Sequence, residues 1–188
     1  MHCLRALILL SLAGCGAAAL PPPEPYTPAN SPDAVTGCPD RRAAAYLARE
    51  ELLAAPSDAH RRDAARAVFE HAACEAEMFG RLELPYVDFE SFRALAREAR
   101  DQFRFARMLY LEVATYGARR WTVAAHDGRA ELHRAFAIKL RAAIPGPGRS
   151  VADDERAIVA AELTEAADIL DSEATRVYAA ATTTSGGS

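Results

Sequence analysis

Between Asp88 and Ala143 the chain carries its two longest helical patterns and its only tryptophan, and few folds accommodate both. Stepping by three or four from Phe89 gives Phe89, Phe92, Ala96, Ala99, Phe103, Ala106, Tyr110 and Val113, one apolar stripe on a helix of about eight turns. Gly117 ends it, because a helix terminus favours a residue free to take left-handed backbone angles. Trp121, Ala124, Ala125, Gly128, Leu132, Phe136, Leu140 and Ala143 then form a second stripe. Two long helices joined by so tight a corner predict an antiparallel hairpin.

The flanking segments extend the same pattern. Helical spacing begins at Cys38-Pro39-Asp40, where proline suits a first helical position, and runs through Ala43, Tyr46, Leu47 and Leu53 to Ala55. Pro56-Ser57 stops that helix, and Ser57 can cap the next. The second helix has Ala65, Phe69, Ala72, Ala76 and Phe79 on one face and Ala67, His71, Cys74 and Met78 on another, so it needs neighbours on both sides. It ends at Gly80, and Leu84-Pro85-Tyr86-Val87 leads to Asp88, the expected cap of the third helix. Pro145-Gly146-Pro147-Gly148 breaks the body, after which Ser150, with Asp153 three residues on, opens a final helix along Val159, Leu163, Ala166, Leu170, Ala174 and Val177. No segment alternates as a sheet strand does, and 51% apolar with 26% charged residues in a chain of 188 is the balance of one globular domain. The expected fold is therefore all-α, with five helices in antiparallel hairpins. Residues 37–181 form the helical domain, and 182–188 a polar tail that frays.

The first fourteen residues read as an export signal, with Arg5 followed by an apolar run too short to span a bilayer. Leu12-Ala13-Gly14-Cys15 resembles the lipobox of bacterial lipoproteins, over residues 1–16 only. The resemblance implies that residues 1–14 are a cleaved signal peptide, that Cys15 is acylated, and that more than one acyl chain holds the protein stably at a membrane. Gly16 after the cysteine, rather than aspartate, resembles lipoproteins sent to the outer membrane, where the protein would face the periplasm. The competing reading is an ordinary signal with a chance cysteine. Residues 15–36 then form a tether, because Leu20 to Pro32 holds six of the eleven prolines and favours extended geometry.

Export makes the remaining cysteines informative, since thiols oxidise outside the cytoplasm. A hairpin folded about Pro56 sets Cys38 level with Cys74, each eighteen positions from the turn. The expected disulfide Cys38–Cys74 contributes roughly 3 kcal/mol in the chain-entropy model. The alternative is a pair of buried thiols.

The central hairpin is similar to the helix pairs of tetratricopeptide-repeat proteins, and more narrowly to divergent members in exported bacterial lipoproteins. The matching residues are Gly117, Trp121, Ala124, Ala125, Phe136, Leu140, Pro145 and Pro147, within Phe103 to Pro147, while Ala130 and His133 stand where the pattern has glycine and tyrosine. Ala65, Phe69, Ala72 recurs as Ala99, Phe103, Ala106 at the offset of 34 that such a repeat has, although abundant alanine explains the echo equally well. The resemblance implies a tetratricopeptide-like solenoid, or an irregular bundle, with a grooved binding surface and no chemistry of its own.

Signatures of chemistry are few. Carboxylate-bridged metal sites in bundles need Glu-x-x-His on two helices, and the motif does not occur. His126 and His133 share a face beside Asp127, and His71 neighbours Cys74; packing or solvation explains all three histidines. Gly-x-Ser-x-Gly and phosphate-cradling loops are missing, and Asp153-Asp154 at a helix start needs only the helix dipole. No cofactor, metal, small-molecule substrate or catalytic residue is expected. The formal charge of −4 becomes −5 once Arg5 leaves with the leader (21 basic against 26 acidic), which gives no reason to expect nucleic acid.

What stands out is a charge pattern. Arg93, Arg97, Arg100, Arg104 and Arg107 line one edge of the third helix, while the final helix has eight acids from Asp153 to Glu173 against Arg156 and Arg176. Pairing within the fold or solvation accounts for this; the sharper reading is a docking edge for an acidic partner protein or anionic polymer, held by guanidinium forks. The function expected is a lipid-anchored envelope scaffold that binds another envelope protein without catalysis. The alternative is a metal- or small-ligand-binding bundle acting as accessory subunit of an envelope enzyme.

Overall fold

The structure is a computed structural model that describes residues 38–146 and 151–186, with side chains described as far as Ala181. The leader, Cys15, the tether, Pro147 and Ser150 lie outside the described residues. The fold is all-α: α1 (Pro39–Ala54), α2 (Asp58–Arg81), α3 (Phe89–Thr115), α4 (Arg119–Ala142) and α5 (Asp153–Gly186), with no strand among the described residues.

The helix boundaries follow local chemistry. Pro39 opens α1, since a first helical position has no use for its missing N–H. Ser57 Oγ accepts the His60 N–H at 3.1 Å to start α2, and Asp88 Oδ1 accepts that of Ser91 at 2.8 Å to start α3. Among the described residues only Gly117 has positive φ, +68°, and the chain reverses there into α4. Two boundaries differ from expectation. Helix α5 begins at Asp153 rather than directly after Ser150, with Asp154 Oδ1 accepting the Glu155 N–H. Its other end lies at Gly186, beyond the Ala181 at which the helical domain is expected to stop.

Side-chain packing turns these rods into a staggered stack. Helix α2 lies against α1, α3 and α4, and α4 lies against α2, α3 and α5. The core of α2, α3 and α4 has two aromatic knots. Phe79, Phe103 and Phe136 meet at centroid distances of 5.1–6.0 Å, and Phe69 sits between Tyr110 (6.0 Å) and Trp121 (5.4 Å). The longest seam joins α4 to α5, where Ala130 meets Ala174 and Val177. Tyr86, buried in the α2–α3 connection, donates to Glu155 at 3.0 Å and so ties that loop to the start of α5.

Helix α1 attaches differently. The Cys38–Cys74 disulfide joins its first turn to α2 across a Cα–Cα distance of 6.1 Å, as the hairpin count predicts. Farther along, the Arg42 guanidinium lies 5.9 Å from the Phe105 ring, and Arg49 grips Glu112 with two bonds of 2.6 and 2.7 Å. Both pairs are 63 residues apart, so α1 and α3 run parallel along α2.

Candidate functional site

The arginine edge lies about 110° around α3 from the side that Phe105 and Glu112 turn toward α1, as 3.6 residues per turn requires. Arg97 and Arg104 are exposed, whereas Arg93, Arg100 and Arg107 are half-buried. Arg100 meets its neighbour Asp101 at 3.5 Å, and Arg100, Arg104 and Arg107 each have a partner within the protein. The Nε atoms of Arg93, Arg107 and Arg129 are buried and make no hydrogen bond of their own. Three of the five arginines are thus half-buried, and Arg107 among them lies close enough to α4 to act on Arg129 and His133.

Where this edge meets α4, charge accumulates. Burial first, and then the Arg107 guanidinium, push Arg129 below its usual range, against the pull of Glu173. His133, 4% exposed, is also pushed down by burial, with Arg107 and Arg129 adding to the effect. Its Nδ1 lies 2.7 Å from the Arg129 carbonyl, an acceptor, so Nδ1 carries the proton; its ring stands edge-on to Phe103 at 5.1 Å. Half-buried His126 is lowered by burial and by Arg129. Among the described residues, no three His, Cys, Asp or Glu side chains converge in a group that could hold a metal ion. Among the same residues, no helix is long and apolar enough to cross a membrane.

A second polar cluster lies beneath α1 and escaped the sequence reading. His71 Nε2 and Glu75 Oε1 are 3.1 Å apart, both residues under 5% exposed, and Arg42 stands 3.5 Å from the same oxygen. Burial pushes the Glu75 carboxyl up, but His71 and Arg42 together hold it below the usual carboxylate range. The His71 ring meets Phe105 edge-on at 5.8 Å. The hairpin register carried no signal for it: with Cys38 level with Cys74, Arg42 stands level with Glu70, five residues before Glu75. A third cluster, Arg49–Glu112, is completed by Tyr116, whose hydroxyl donates to Glu112 Oε1 at 2.5 Å; burial and that carboxylate raise the phenol.

The sequence matches no protein-family model, and neither a curated protein nor a solved structure shows significant similarity to it.

Proposed function

We propose that this protein is a lipid-anchored scaffold of the bacterial cell envelope, held at the outer membrane by an acylated Cys15 and a proline-rich tether. Its tetratricopeptide-like helical domain docks an acidic segment of another envelope protein along the arginine edge and makes or breaks no covalent bond. The observation that carries the docking reading is the division of labour along α3: Arg93, Arg100 and Arg107 are half-buried, while Arg97 and Arg104 are open to solvent on the same ridge. Fixed guanidiniums lose less freedom when they bind a carboxylate than free ones do, and their forks match its geometry. The leader and Leu12-Ala13-Gly14-Cys15 support the anchor.

Crosslinking in intact cells, followed by mass spectrometry of what is recovered, tests the docking edge. With Arg97→Glu and Arg104→Glu together, recovery of the partner should fall at least tenfold; undiminished recovery overturns the edge as the docking site. Partitioning into a detergent phase tests the anchor separately, since Cys15→Ser should leave the protein in the aqueous phase.

A further inference from the structure

We propose that the Cys38–Cys74 disulfide is a redox latch. While oxidised it holds α1 on α2, and its reduction releases α1 and leaves α2 to α5 folded. The proposal depends on neither the lipid anchor nor the arginine edge.

The reason lies in how little else holds α1. Within the helix only Ala45 is fully buried, while Tyr46, Leu47 and Leu53 are 47%, 60% and 75% exposed. Cys38, at its N-cap, makes no side-chain cap bond. Beyond the disulfide, buried Ala45 and the half-buried Ala48 and Leu52, three arginines attach it: Arg41 to Glu70, Arg42 to Glu75 and the Phe105 ring, and Arg49 to Glu112. Apart from Glu75 these partners are partly exposed, and ion pairs in such positions contribute little to holding two elements together.

The rest of the domain does not need α1. Neither aromatic knot includes an α1 residue, and the seam with α5 lies on the far side of α4. Helix α2 has its own cap in Ser57, so it starts without help from α1, and Ala55-Pro56-Ser57 is a ready hinge. Elements that bury few apolar groups open at low cost while the core stays closed. Release would part Arg42 from Glu75 and uncover Glu75 and His71, both buried in the oxidised form.

The exchange step is accessible and balances. Cys74 is half-buried and Cys38 only 5% exposed, so the thiolate of an incoming dithiol attacks Cys74 Sγ. The S–S bond breaks, and Cys38 leaves as a thiolate and takes a proton. The second thiol of the reductant, losing its proton, then attacks the mixed disulfide, frees Cys74 as the second thiol and leaves the reductant oxidised as its own disulfide.

Amide hydrogen exchange on the full chain, oxidised and then reduced with dithiothreitol, tests the latch, and a Cys38→Ser, Cys74→Ser double variant supplies the permanently open form. Amides of residues 42–54 should lose at least tenfold protection on reduction and match the double variant, while those of α3 and α4 stay within twofold. Protection of 42–54 that survives reduction within twofold would overturn the proposal. So would loss spreading through α3 and α4, because the disulfide would then support the whole domain rather than one helix.

Discussion

Helices α1 and α5 flank the same core, yet they are held by different physics. Helix α5 buries Val159, Leu163, Ala166, Ala167, Leu170, Ala174, Val177 and Ala181, a continuous apolar face along α4. Helix α1 buries Ala45 and relies on a disulfide and three arginines. Apolar burial is non-directional and tolerates any nearby hydrophobe, so it makes a seam that opens only with the core. Covalent and ionic links are few and specific, so an element held by them can be freed by one chemical change. The two ends of one domain therefore differ in what can detach them.

That contrast can be broken most directly by making the same deletion at both ends. Leu163→Ala in α5, where the side chain is 2% exposed, should cost about 2–5 kcal/mol in denaturant unfolding; a cost near zero would mean that the α4–α5 seam is not the support it is taken to be. Polar attachment is not confined to α1, and Lys139 sharpens the point. The only lysine in the chain donates to the carbonyls of Gly80 at 2.8 Å and Leu82 at 2.5 Å, at the end of α2, and stands over the Phe79 ring. Lys139→Met should lower stability by about 1–2 kcal/mol, with the added exchange confined to the last turn of α2.

A smaller effect is expected at Gly128, where α3 and α4 come close. An added Cβ would sit 2.7 Å from the ring of Tyr110, which is buried, so ring or helix must shift to admit it. Gly128→Ala should therefore destabilise by about 1 kcal/mol in thermal melts, despite the better helix propensity of alanine. His133 predicts a pH dependence on the α4 side. Its folded pKa lies below the ordinary 6.5, so the unfolded chain takes up the proton first as pH falls. Its contribution is full above pH 6.5 and declines below it, so stability measured from pH 7 to pH 5 should fall less steeply in His133→Gln than in the wild type. The least effect belongs to Leu53→Ala in α1, within about 0.5 kcal/mol, because that side chain is 75% exposed.

Much of the backbone was legible because its signals are local. Ser57, Asp88 and Gly117 act where a cap or a corner acts in any helical chain, and the apolar stripe from Phe92 to Val113 is the buried face of α3. The disulfide was legible by counting from Pro56, since a hairpin fixes which residues stand level. The side-chain clusters were less so. Arg42 pairs with Glu75 rather than with the nearer Asp40, and Lys139 serves the end of a helix 57 residues away; neither choice has a trace in spacing. The two longest apolar stripes predict the α3–α4 hairpin, yet the longest seam belongs to α4 and α5, because small residues such as Ala130 and Ala174 let those two approach closely.

By itself, then, the sequence determined five helices, their order, their corners and one covalent bond, because these depend on periodicity, on backbone freedom at a few residues and on distance along a hairpin. Only the tertiary structure decided which arginines are exposed and which half-buried, which carboxylates lie buried, and that α1 rests on one buried alanine, a disulfide and three arginines while α5 rests on a full apolar face. Those outcomes depend on how helices distant in sequence slide and rotate against one another. A shift of one residue there turns a side chain by about 100° around the helix axis and replaces its neighbours.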